Sequence, residues 1–479
     1  MRPHGAGWLL VLMATACSAA GSQPAPVAPP LERCDVAGAG AAWCTTVGVH
    51  ESAASDRKID LRVVVLPAQT ATPLADPIVP LAGGPGQGAA DLAAILAQRY
   101  APYRDQRDIV FVDQRGTGGS NGLRCDAPGS AAALMGTLFD VARLAACRDA
   151  RSRHADLTRY TTAAAARDYE AVFDRLGYRT VNIVGTSYGT RLGLEIARQF
   201  PSRVRSLTLD AVVPTAFTWP THGAADADAA LGLLIDDCAA EASCRDAFPR
   251  FREDVDAAFA RVRKAPVMVA VRDPDSGATE RVPFGPSDLA YATRGVLYGN
   301  GAVSLPLWFR EAALGDFGAL AQAYVTRARA LDAQIAFGVH FGVYCAEDLP
   351  FVDWAAAERA ASGTHLGSFL LDQYRRVCEI WPRGGIEASF REPVRSAVPT
   401  LLLSGRRDPV TPPRTAQDAA RTLTRSRVVV WPFGGHGTDG LASPECRVSI
   451  MRDFLRTADP DALPLACVTR DRPLPFRLR

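Results

Sequence analysis

Lysine is nearly missing from this chain, occurring only at positions 58 and 264, so arginine carries almost all of the positive charge. The skew reads as composition and assigns no function. An excess of one charge sign is missing too: 53 Lys and Arg stand against 51 Asp and Glu, a formal net charge of +2. No basic cluster alternates with aromatic residues, which removes the electrostatic footprint that nucleic-acid binding needs. The apolar run from Trp8 to Ala16 is far shorter than the roughly 20 residues of a membrane-spanning helix. The zinc patterns CxxC and paired His do not occur, nor does the phosphate loop GxxxxGK[ST], and no metal or organic cofactor is expected.

What is present begins at the N-terminus. Arg2, the apolar run and then Ala14-Thr15-Ala16-Cys17 have the layout of an export signal, with small residues before a cysteine as at a bacterial lipoprotein processing site. Residues 1–17 are therefore expected to direct export, with membrane attachment through a lipid on Cys17. Residues 18–33, rich in Ala, Pro, Gly and Ser, are expected to form a flexible tether. The compartment would be the periplasm or cell envelope, or the outside if the chain is simply secreted. Of the 11 cysteines, setting Cys17 aside leaves an even set, consistent with disulfides in an oxidising compartment. Short separations favour sequential pairing, Cys34 with Cys44, Cys125 with Cys147, Cys238 with Cys244, Cys345 with Cys378 and Cys446 with Cys467, among roughly 900 formal connectivities.

At 479 residues the chain is long for one domain. From Arg57 to Thr208, β-rich apolar runs alternate with helical patterns, the rhythm of a mostly parallel sheet with crossover helices. The runs are Leu61 to Leu66, Ile78 to Leu81, Ile109 to Val112, Val181 to Val184 and Val204 to Leu209; the helices are expected at Ala89 to Leu96, Ala163 to Leu176 and Arg191 to Phe200. The rhythm breaks after Pro214 into Ala-rich helical stretches with one weak β-like run, Val267 to Val271, and resumes at Pro399 to Gly405 and Arg427 to Trp431. The expected architecture is an α/β fold with a doubly wound, mostly parallel sheet. Residues 34–214 and 396–479 form its two parts, and 215–395 form an inserted, mainly helical cap.

The strongest chemical signal is Gly185-Thr186-Ser187-Tyr188-Gly189, a GxSxG placed after a strand and before a helix. A serine hydroxyl is a poor nucleophile unless a base sits beside it, and a sharp strand-to-helix turn exposes it to one. An acyl-transfer site also needs donors aimed at the developing oxyanion. The loop Leu81-Ala82-Gly83-Gly84-Pro85-Gly86 lies where such a loop belongs, so the amides of Gly84 and Tyr188 are the candidate donors. In chain order Ser, Asp, His, the orienting acid is Asp408, after the strand that ends at Gly405, and the base is His436, after the next strand. Asp210, at the end of an earlier strand, is the rival acid.

These residues resemble the prolyl and tripeptidyl aminopeptidases, serine exopeptidases of the α/β-hydrolase fold. The resemblance rests on Gly83-Gly84-Pro85-Gly86, on Asp113-Gln114-Arg115-Gly116-Thr117-Gly118-Gly119-Ser120, on the GxSxG, and on the positions of Asp408 and His436. It covers about 40 to 470 and thins inside the cap. Ala82 departs from the His or Pro that this family often carries there. The resemblance implies that the Asp113 to Ser120 stretch buttresses the site through buried hydrogen-bonded pairs, and that residues 396–479 are the TAP-like C-terminal region. It also implies that Glu347, and second Asp348, hold the α-ammonium of a peptide, since a desolvated cation needs a charged partner; the competing role is to brace the cap. The expected activity is removal of N-terminal Pro or a short peptide through an acyl-enzyme. A carboxylesterase with the same triad is the alternative, and a non-catalytic envelope binding protein on this scaffold the third.

Overall fold

A computed structural model of the chain describes Met1 and residues 30–438 and 441–479. Cys17, the export signal beyond Met1 and the tether up to residue 29 lie outside the described residues. The strands are β1 (Glu32–Val36), β2 (Gly40–His50), β3 (Lys58–Leu66), β4 (Ile78–Leu81), β5 (Ile109–Val112), β6 (Val181–Thr186), β7 (Val204–Asp210), β8 (Val267–Arg272), β9 (Thr279–Phe284), β10 (Thr400–Gly405) and β11 (Ser426–Trp431). Nine of them form one sheet, ordered β1-β2-β3-β5-β4-β6-β7-β10-β11. Pairing is antiparallel from β1 through β3 to β5 and parallel from β5 to β11. This is the α/β-hydrolase arrangement, a mixed and mostly parallel sheet with helices on both faces.

The central strands read as near-continuous apolar runs because both of their faces are covered. Successive side chains point to opposite sides, so Val110 and Val112 join one core while Ile109 and Phe111 join the other. The first core is closed by helices Thr162–Leu176 and Tyr188–Gln199, the second by Ala93–Tyr100 and Pro444–Thr457. Local sequence sets the ends of helix Thr162–Leu176. The Thr161 hydroxyl accepts from the Ala164 amide, and Gly177 closes the last turn at φ 76°.

Three elements differ from the sequence expectations. The hairpin of β1 and β2 was not foreseen, because β2 alternates between half-exposed and buried positions and lacks an apolar run; β1 begins at Glu32, inside the stretch expected to be tether. The helix expected from Ala89 starts at Ala93, since the amide of Asp91 is pinned 2.8 Å from the Asp113 carboxylate. The weak run near Val267 is a full strand because it pairs with β9, which places Val271 and Val282 inside.

Between β7 and β10 the chain adds no strand to the main sheet; it builds helices and the β8–β9 hairpin. Five disulfides join the cysteines sequentially: 34–44, 125–147, 238–244, 345–378 and 446–467. They constrain the unfolded chain and belong to an oxidising, extracytoplasmic compartment.

The segment after β5 ties this scaffold together. Asp113 accepts the amide of Gly119 at 2.9 Å, and Ser120 Oγ donates to the Asp113 carbonyl at 2.8 Å. Arg115 holds the buried Asp168 through Nε at 2.6 Å and Nη2 at 2.7 Å, and also donates to the carbonyls of Glu51 and Arg159. Arg115→Met strands Asp168 as an uncompensated buried charge. The expected loss is about 3–5 kcal/mol of unfolding free energy, read by urea denaturation; a variant as stable as the parent would show that the pair is not needed.

Candidate active site

Ser187 lies between β6 and helix Tyr188–Gln199 with φ 56° and ψ −125°, a backbone region that non-glycine residues avoid. The surrounding structure holds it there. Its amide donates to the Asp210 carbonyl at 2.9 Å, and its carbonyl accepts both the amide and the hydroxyl of Thr190, at 2.9 and 2.6 Å. A Cβ at Gly185 would collide with the Gly189 carbonyl, and one at Gly189 with that of Leu81. The GxSxG spacing is therefore a packing requirement of this turn, in which the helix start presses against β4 and β6.

The loop after β4 meets the same turn. A Cβ at Gly83 would lie 3.2 Å from Ser187 Cβ, and Gly84 takes φ +110°, which a side chain would strain. Tyr188 is the first residue of its helix, so its amide has no intrahelical acceptor. Gly84 and Tyr188 line one cavity of about 460 Å³ together with Ser187 and His436.

Asp408 and His436 are brought together by the parallel pairing of β10 with β11, which sets Gly405 beside Trp431 and so aligns the loops that follow. His436 Nδ1 lies 2.9 Å from Asp408 Oδ2. The Asp408 carboxylate is buried and also accepts the amides of Val410 and Thr411 and the Thr411 hydroxyl, at 2.8, 2.9 and 2.7 Å. The His436 amide donates to the Tyr298 carbonyl at 2.8 Å, and the Tyr298 ring packs 4.8 Å from the imidazole. Burial opposes charge on both partners. Their mutual attraction overrides it, so Asp408 sits below the usual carboxylate range and His436 above the usual imidazole range. The rival acid Asp210 pairs instead with Arg447 at 3.2 Å and Arg99 at 3.6 Å.

Glu347 and Asp348 are fully buried and are not among the residues lining the cavity. Asp348 is held by both Nη atoms of Arg191, at 2.8 and 3.0 Å, and by the Trp219 amide. Glu347 accepts the amide and hydroxyl of Thr162 at 2.6 and 2.8 Å, and burial pushes its pKa up to about 7. The expectation that these carboxylates meet a substrate ammonium directly is corrected accordingly. The π-helical turn over Tyr344–Asp348 sets Asp348 on Arg191 and Glu347 on Thr162, whose hydroxyl meets that of Tyr188; Arg191 and Tyr188 in turn line the cavity.

Sequence reading also passed over His340. Its Nδ1 contacts the Pro85 carbonyl at 3.0 Å and its Nε2 the Tyr374 hydroxyl at 3.0 Å, and burial lowers it to about 4, so the neutral ring fastens the Gly84-Pro85 loop to the segment above it. Tyr298, Arg294 and Arg327, which also line the cavity, carry no motif that would mark them.

A sheet of this order with a serine on the turn after its central strand defines an α/β hydrolase. The α/β hydrolase fold family matches residues 76–233, and the TAP-like protein family matches residues 365–467. The tripeptidyl aminopeptidase of Streptomyces coelicolor is 24% identical over 423 residues, covering 82% of this chain and 76% of its own. The serine protease Hip1 of Mycobacterium tuberculosis is 26% identical over 287 residues, 54% of this chain and 53% of its own. Among solved structures, the proline iminopeptidase of Mycobacterium smegmatis aligns over 87% of this chain and 100% of its own at 18% identity, with a TM-score of 0.38. The chain is an α/β hydrolase with a TAP-like C-terminal region, distantly homologous to the tripeptidyl aminopeptidases and to the Hip1 serine protease.

The Asp408–His436 pair sets a titration. The anion stabilises the imidazolium, so NMR should place the His436 midpoint above 6.5, and Asp408→Asn, which leaves burial unopposed, should lower it below 6.5. An unchanged midpoint in that variant would break the pairing.

Proposed function

We propose that the protein is an extracytoplasmic serine exopeptidase that removes a short N-terminal unit, a Pro or a tripeptide, through an acyl-enzyme on Ser187. The Ala14 to Cys17 pattern adds a lipid anchor at Cys17 to this reading. The observation that carries the chemistry is the hydrogen bond of His436 Nδ1 to Asp408. It keeps the proton of the neutral imidazole on Nδ1 and leaves Nε2 to take the Ser187 proton as the hydroxyl attacks the scissile carbonyl. The amides of Gly84 and Tyr188 then hold the oxyanion, and the imidazolium returns its proton to the leaving amine. Water, deprotonated by the same imidazole, hydrolyses the acyl-enzyme.

The helical segment 215–395 is proposed to act as a cap. Phe337, Tyr344 and Tyr374, all from this segment, line the cavity beside Ser187, so the reacting carbonyl is screened from bulk water and substrate length is limited. The peptidase relatives support the peptide reading. A second reading, a carboxylesterase for small acyl esters, is favoured by one observation: among the described residues no Asp or Glu lines the cavity, so a free α-ammonium finds no carboxylate there.

A panel of chromogenic peptides with free and blocked N-termini, run beside p-nitrophenyl butyrate, separates the readings. The exopeptidase turns over only the free peptides, and Ser187→Ala lowers kcat on the order of 10⁶-fold. Ester cleavage with no peptide cleavage selects the esterase, and equal turnover of free and blocked peptides rejects exopeptidase action.

A further inference from the structure

The cavity is built with an excess of positive charge that nothing in the hydrolytic chemistry uses. Among the described residues its charged lining consists of Arg99, Arg191, Arg294 and Arg327 besides His436. Two of these are neutralised, Arg191 by Asp348 at 2.8 Å and Arg99 by Asp210 at 3.6 Å. Arg294 and Arg327 are not: neither has a carboxylate partner among the described residues.

Arg294 is 7% exposed, and its Nε is buried with no hydrogen-bond partner. Its guanidinium lies 4.9 Å from the Trp219 ring centre and 5.2 Å from that of Tyr298, and Nη2 donates to the Tyr298 hydroxyl at 3.0 Å. Arg327 lies 4.1 Å from the Tyr298 ring centre. Tyr298 thus has two guanidiniums and the His436 imidazole, 4.8 Å away, packed around its ring. The local potential shows in its phenol: burial alone would raise its pKa, but Arg294, His436 and Arg327 bring it below the ordinary value. Aromatic faces return only part of what burying a guanidinium costs, whereas a carboxylate returns more and matches its planar fork. An aromatic-walled cavity that holds Ser187 together with a buried guanidinium and a half-exposed one, neither with a carboxylate partner among the described residues, is a receptor for an acid.

We propose that Arg294 and Arg327 bind a carboxylate of the substrate, so that the preferred substrate carries an anionic group beside the bond cleaved at Ser187. This rests on the acyl-hydrolase reading above and narrows its substrate class to acids. The carboxylate has two sources, an acidic side chain on the acyl part or the terminal carboxylate of the leaving part, and both present the same planar anion.

The first test is binding, which needs no turnover. Glutarate and its uncharged counterpart glutaramide are titrated into full-length Ser187→Ala protein and followed by thermal shift. Glutarate is expected to stabilise the protein and glutaramide not to. Arg294→Gln and the half-exposed Arg327→Gln should each weaken glutarate binding about tenfold, the loss of one charge-assisted contact. Equal response to both compounds, or glutarate binding unchanged in both variants, overturns the proposal. The second test assigns the source in wild-type protein: peptides with Glu or Gln in the acyl part, and peptides ending in a carboxylate or an amide, compared by kcat/KM. A preference of about tenfold for the charged member is expected in one pair, and should shrink in Arg327→Gln; no preference in either pair counts against the proposal. Turnover of p-nitrophenyl butyrate, abolished by Ser187→Ala, reports separately on the acyl-hydrolase reading.

Discussion

The backbone of Ser187 is held where a side-chain-bearing residue resists being, and the rest of the molecule is arranged around that constraint. The strained turn persists because it is over-determined: the Asp210 carbonyl fixes its amide, Thr190 fixes its carbonyl, and the glycines on either side let β4, β6 and the following helix close to van der Waals contact. Strain of this kind costs of order 1–3 kcal/mol, which a large two-faced core offsets easily. In return the serine sits past the strand end at a helix start, next to the Tyr188 amide that has no intrahelical acceptor. A serine in an ordinary strand or helix would have its hydroxyl against neighbouring backbone instead.

The parallel sheet then converts long sequence separations into short distances. Strands β4, β6, β10 and β11 all end on the same edge, so the Gly-rich loop, Ser187 and His436 come to line one cavity and Asp408 meets His436, although they span positions 82 to 436. The inserted helices add control from above. His340 links the Gly84-Pro85 loop to Tyr374, the Ala336 amide donates to the Gly86 carbonyl at 2.9 Å, and Gln87 bonds Gln334 at 2.9 Å. The Gly83 to Gln87 loop is therefore bonded to residues 334–340 of the segment between β7 and β10, so a shift of that segment would disturb the cavity wall beside Ser187.

What could be read from sequence follows from range. The central strands are legible because IVFV and IVPL are apolar on both faces, and Ser187, Asp408 and His436 stand out because each follows a strand in a fixed order; the structure sets His436 against Asp408 and lines one cavity with Ser187 and His436. The β1–β2 hairpin is not legible, because its edge strands are half exposed, and β9 is not, because only pairing with β8 makes TERVPF a strand. Glu347 and Asp348 are candidates only through the family resemblance, and their surroundings depend on a π-helical turn and on Arg191, which comes from another helix. Arg294 and Arg327 were invisible for a different reason. In an arginine-rich chain a cation without a partner can be recognised only once the space around it is known.

The proposed chemistry requires that Ser187 become covalently acylated with His436 as its base. Labelling with a fluorophosphonate, followed by peptide mapping in a mass spectrometer, tests it most directly. The adduct should lie on the peptide containing Ser187 and should form orders of magnitude more slowly in His436→Ala. An adduct on another serine, or a rate at Ser187 indifferent to His436, would contradict it.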